Sequence, residues 1–96
     1  MDFLNEVVGI FLKEYPTMMG NIEKSVKERD GKGLQETAHA LKGMLRSFAA
    51  EEASQTVKML ERMGQDKEFA GIDQVYQNLA DEVEEFEKIL SVIIKT

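Results

Sequence analysis

From residue 72 onward, apolar residues return every three or four positions: Ile72, Tyr76, Leu79, Val83, Phe86, Leu90 and Ile93. That rhythm is the period of a helix burying one stripe, and over this length it excludes a strand, whose buried positions alternate. The other face carries Asp81, Glu82, Glu84, Glu85 and Glu87, a charge run that reads as solvated surface. A helix with one apolar stripe must bury it against similar partners.

Three further stretches supply them. Leu4, Val8, Phe11, Tyr15, Met18, Ile22 and Val26 lie within about 40° of one line, giving one long first helix, or two nearly collinear ones, over residues 2 to 28. Pro16 falls inside it, where it removes the hydrogen bond to the Leu12 carbonyl and is expected to kink the helix. Arg29 to Gly33 reads as a turn, with Asp30 capping the next helix and two glycines breaking the previous one. A second helix over residues 32 to 49 buries Leu34, Ala38, Leu41, Leu45 and Phe48. A third, residues 51 to 64, opens on Glu51 and Glu52, buries Ala53, Val57, Leu60 and Met63, and stops at Gly64. A loop over 65 to 71 leads to the fourth helix, residues 72 to 95. Four such helices with short connections predict an all-α fold: an antiparallel up-down-up-down four-helix bundle, its first helix long and kinked at Pro16.

Composition narrows the function. Ninety-six residues make one domain over 1–96, and a net charge of -6 argues against a nucleic-acid binder. Without cysteine there is neither a disulfide framework nor a thiolate metal site. No apolar run approaches the roughly 20 residues of a spanning helix, so no membrane contact is expected of this domain.

The single histidine, His39, lies in the middle of the second helix. Advancing about 100° per residue from the centre of the buried seam turns His39 roughly 140° from the core, toward water. Gly43 falls at roughly 180°, Arg46 at 120°, Gln35 at 100° and Lys42 at 80° on the same scale. Gly43 thus lies one turn from the imidazole, and a glycine there costs roughly 1 kcal/mol against alanine. Close approach of another molecule would compensate. Lys42 and Arg46 put cations on the histidine side, suited to an anion held at the ring. An ordinary solvated face fits this geometry equally well. Phe3, Val7 and Ile10 form a second apolar strip on the first helix, either further core or a docking surface beside the histidine.

The run A-H-A-L-K-G, residues 38 to 43, resembles the H-x-L-K-G core of the histidine-containing phosphotransfer (HPt) domain of two-component phosphorelays. F-L-K-E-Y-P, holding Phe11 and Pro16, is similar to that family's first long helix. F-A-A-E-E-A and M-L-E-R-M-G, residues 48–53 and 59–64, resemble the turn and helix that follow the histidine. Small residues are usual just after the motif's glycine, where this chain has Met44, Leu45 and Arg46, and Ala49 stands at a usual glycine. The resemblance implies a phosphoryl carrier. His39 would accept a phosphoryl group from a receiver-domain aspartate or a histidine kinase domain and pass it to a response-regulator receiver. Lys42 would offset phosphoryl charge, Gly43 would leave room for the receiver's active-site loops, Gln35 and Arg46 would be contact residues, and Phe11 would join the docking strip or, from its place on the core stripe, serve packing instead. The domain would be free-standing or part of a hybrid sensor kinase, and its relay would place it in the cytoplasm.

The residues agree with a carrier. An exposed neutral imidazole is a competent nucleophile near neutral pH. No G-x-x-x-x-G-K-[ST] loop for a nucleotide and no aspartate cluster for magnesium occurs in the sequence. Hence no enzyme activity and no cofactor of its own is expected, the magnesium being the receiver's. Two other readings use the same residues. Glu36 and His39 form the E-x-x-H pairing of di-iron bundles, but those need two such pairs pointing inward, and the one histidine here points out. Alternatively the chain is a non-catalytic interaction module that binds a helix through Phe3, Val7 and Ile10, with His39 incidental.

Overall fold

Helices α1 (Phe3–Glu28), α2 (Gly31–Ser47), α3 (Glu51–Asp66) and α4 (Ile72–Lys95) follow one another in a computed structural model. It describes the backbone of residues 3–48 and 50–95 and the side chains of residues 6–48 and 50–92. Each helix packs on its neighbours in a ring: α1 on α2 and α4, and α3 on α2 and α4. Among the described residues the diagonal pairs, α1 with α3 and α2 with α4, do not approach at the backbone, so this is the four-helix bundle expected from the stripes.

The core is the sum of those stripes. Val8, Phe11, Ile22 and Val26 of α1 meet Leu34, Ala38, Leu41 and Leu45 of α2, all buried. Ala53, Val57 and Leu60 of α3 and Ile72, Leu79, Val83 and Leu90 of α4 close the ring. Tyr15, Met18, Phe48, Met63, Tyr76 and Phe86, expected inside, are only half-buried at its margin. Met19 is buried instead beside Met18, lying within about 20° of the Val8 line. Leu4 and Ile93 fall outside the described side chains. Phe11 anchors an aromatic cluster, stacked on Tyr15 at 5.1 Å and edge-on to Phe48 at 5.3 Å and to Phe86 at 5.7 Å. Burial, with Glu87 and Glu84 nearby, pushes the Tyr15 phenol up to about 12. The helix α1 runs without a break through Pro16, which is exposed.

The connections are tighter than the sequence suggests. Between α1 and α2 only Arg29 and Asp30 intervene. Arg29 takes the left-handed conformation (φ 55°), while the amides of Arg29 and Asp30 donate back to the Val26 and Ser25 carbonyls. Asp30 caps α2 by accepting from the Gly33 amide at 3.0 Å, as expected. Gly31 and Gly33 do not break a helix, since both lie in the first turn of α2. Nor does Gly64 stop α3, which continues to Asp66 and ends on left-handed Lys67.

Gly64 serves a different purpose. A Cβ built on it would stand 2.7 Å from the Gly31 carbonyl oxygen and 2.9 Å from the Gln35 amide nitrogen. On Gly31, a Cβ would meet the Gly64 carbonyl oxygen at 2.6 Å. Backbone therefore packs on backbone where the start of α2 crosses the end of α3, and only glycine permits that approach. These two helices share the most extensive contact in the bundle.

Candidate functional site

Because α2 and α3 run antiparallel from that crossing, residues further along α2 face residues earlier in α3. His39, two turns past Gly31, lies across from Glu61, one turn before Gly64. His39 is the exposed partner, its side chain 70% accessible, whereas Glu61 is 16% and Lys42 18% accessible. The Glu61 carboxylate bridges the other two. Its Oε2 lies 2.7 Å from His39 Nδ1 and its Oε1 2.6 Å from Lys42 Nζ.

This geometry fixes the protonation pattern. Burial raises the Glu61 carboxyl, but the hydrogen bonds and charges of Lys42 and His39 outweigh that and hold it below its ordinary value. An ionised carboxylate only accepts hydrogen bonds, so His39 Nδ1 carries the proton and donates it to Oε2. When the ring is neutral, this leaves the Nε2 lone pair free on its exposed side. Nothing about Glu61 in the sequence identifies this role. Its signal was positional: it borders Leu60 on the edge of the α3 stripe, where a side chain reaches the neighbouring helix instead of the core.

The expected site residues distribute around this centre. Gly43 is exposed, and a Cβ on it would meet nothing within 4 Å, so its small size leaves open space beside the ring. Lys42 is on the histidine side as expected, but its charge is already engaged by Glu61. Arg46 is exposed and shares a 480 Å³ cleft between α2 and α3 with Lys42 and Lys58. Gln35, half-buried one turn before His39, lies near the glycine crossing.

On the opposite flank of α2, an apolar groove of 370 Å³ is lined by Val7, Ile10 and Phe11 of α1 with Ala40, Gly43 and Met44. Ile10 is 55% exposed, so this part of the second strip is not core; Val7 is half-buried. Phe11 is fully buried and contributes only floor. The Phe3 side chain lies outside the described residues, as does Ala49. Met44 lines the groove, Leu45 is core and Arg46 belongs to the cationic cleft, so the three residues that depart from the motif's small side chains point three ways.

Among the described residues no group of three or more His, Cys, Asp or Glu side chains is placed to hold a metal, and no helix is long and apolar enough to cross a membrane. A family model described as Hpt domain matches residues 6–89. No curated protein and no solved structure matches the chain. The bundle, the outward histidine and a match over most of the sequence agree, and the chain belongs to the Hpt domain family, the histidine-containing phosphotransfer modules of phosphorelays, which carry phosphoryl groups without a nucleotide site of their own and work with receiver and kinase domains.

Proposed function

We propose that His39 is the phosphoryl carrier, reacting through Nε2. The observation that supports this reading most is the 2.7 Å contact between Nδ1 and the Glu61 carboxylate on a ring otherwise open to solvent. The Nε2 lone pair attacks the phosphorus of an aspartyl phosphate on a receiver domain, or of the donor nucleotide bound by a kinase domain. The N–P bond forms as the bond to the leaving aspartate or nucleotide oxygen breaks. Nδ1 keeps its proton throughout, so the ring becomes positively charged, and Glu61 faces that charge. Running the same step backward returns the group to a receiver aspartate. Magnesium belongs to the receiver.

The neighbours divide the remaining tasks by distance. Lys42, about 4.5 Å along the axis from His39, is near enough to meet a phosphoryl oxygen when its bond to Glu61 opens. Arg46, about 10.5 Å along, is too far for the phosphoryl group and faces the partner. Gly43 admits the receiver's loops, while Ile10 and Val7 offer an apolar footing beside it. Gln35 borders the site from the other end. The relay reading places the domain in the cytoplasm, on its own or within a hybrid kinase.

Transfer itself is the test. Wild type and His39→Gln are mixed with magnesium and phosphorylated receiver domains, and separately with a small-molecule phosphodonor. Acid-labile phosphate should appear on wild type alone. Equal labelling of both, or a folded wild type that takes label from neither source, would contradict the carrier reading and favour an interaction module.

A further inference from the structure

A third groove lies between the start of α3 and the middle of α4, away from His39, and has a volume of 500 Å³. Its apolar lining is Ala50, Ala53, Phe86 and Ile89, with Ile89 53% exposed although large and aliphatic. Its rim is entirely acidic: Glu51 and Glu52 from α3, and Asp81, Glu82 and Glu85 from α4. No cation lines it, and none of the five carboxylates forms an ion pair among the described residues.

Local structure accounts for only part of this. Glu51 and Glu52 occupy the first turn of α3, where the helix dipole favours negative charge. Asp81, Glu82 and Glu85 sit in the interior of α4, where no such benefit exists, and Asp81 and Glu85 are a like-charge pair four residues apart. Glu82 Oε1 is buried in the groove region without a hydrogen-bond partner. A buried carboxylate oxygen without a donor is costly, and so is a half-exposed isoleucine ringed by like charges. The neighbouring α2–α3 cleft is lined by Lys42, Arg46 and Lys58 together with Glu51, which borders both surfaces.

We propose that the α3–α4 groove binds a cationic amphipathic helix of a partner protein, independently of phosphoryl transfer. Its apolar face would cover Phe86 and Ile89 in helix-in-groove fashion, and its lysines or arginines would reach the carboxylate rim, one of them supplying the donor that Glu82 lacks. The occupant follows from charge complementarity: an acidic or neutral helix would leave the rim carboxylates desolvated and unpaired.

The probe is a Leu/Lys peptide of about five helical turns with leucines on one face, titrated into the ¹⁵N-labelled full chain at physiological salt. A peptide of identical composition in scrambled order controls for charge alone. Shifts should concentrate at Ala53, Glu82, Phe86 and Ile89, leaving Ile10, Ala40 and Gly43 unmoved. The scrambled peptide, the double variant E82Q/E85Q and Ile89→Ser should each bind about tenfold more weakly. Phosphorylation of the double variant should match wild type. Glu85 and Ile89 are exposed and Glu82 is half-buried, so unchanged circular dichroism and an unchanged melting temperature verify the fold of each variant. Equal affinity for the scrambled peptide, shifts centred on the α1–α2 groove, or no saturable binding would overturn the proposal.

Discussion

Replacing Glu61 by glutamine is expected to slow phosphorylation of His39 by about tenfold, the size of losing one charge-assisted hydrogen bond of about 1.4 kcal/mol. Glutamine keeps the shape of the side chain but has one acceptor oxygen where the carboxylate has two. Lys42 can only donate, so it takes that oxygen, and the amide NH2 is turned toward His39 Nδ1. Nδ1 must then accept, which moves the ring proton to Nε2 and removes the reacting lone pair. Imidazole ¹⁵N shifts report the tautomer directly, and single-turnover labelling reports the rate. A variant with the wild-type tautomer and the wild-type rate would remove Glu61 from the account. The same substitution has a pH signature. Glu61 has a folded value below its ordinary 4.5, so its ionisation adds stability above that pH, and this is lost as pH falls through the folded value. The stability difference between wild type and E61Q should therefore be largest near neutral pH and shrink on acidification.

Gly64→Ala should destabilise the bundle by about 2 kcal/mol, lowering the melting temperature by roughly 10 °C. In an open helix the exchange would stabilise by about 1 kcal/mol. Here the new methyl meets the Gly31 carbonyl oxygen and the Gln35 amide nitrogen, both backbone, so relief requires α2 and α3 to separate. Gly43→Ala is the control, because its Cβ meets nothing, and it should raise stability by about 0.5–1 kcal/mol. Thermal denaturation of the two variants separates packing from propensity. Equal stabilisation of both would mean that the close crossing is absent. Glu61 lies one turn from Gly64, so loosening the crossing should also lengthen the His39–Glu61 contact and slow labelling.

The fold was legible because each helix announces itself through a stripe, and Leu34, Ala38, Leu41 and Leu45 are all buried as their spacing required. His39 was legible for the same reason, since the angle that buries Leu41 turns the ring outward. What the period could not reveal is contact between helices. Glu61 becomes part of the site only through the register of α3 on α2, and that register depends on Gly31 and Gly64, which read locally as breakers. Glycine has two uses, a left-handed turn or a close approach, and one sequence does not distinguish them. Arg29 and Lys67 take the left-handed positions, leaving these glycines for packing. Lys42 was similarly legible as a cation near the ring but not as one already paired.

The most direct measurement is the position of the phosphorus. The ¹⁵N-histidine-labelled domain is phosphorylated under neutral conditions, and its ¹⁵N–³¹P couplings are recorded beside those of His39→Gln. One phosphoramidate on Nε2 of His39, with Nδ1 still facing Glu61, is the expected result. Phosphorus on Nδ1, or on any residue other than His39, would contradict the assignment of Glu61 and His39 as the working pair.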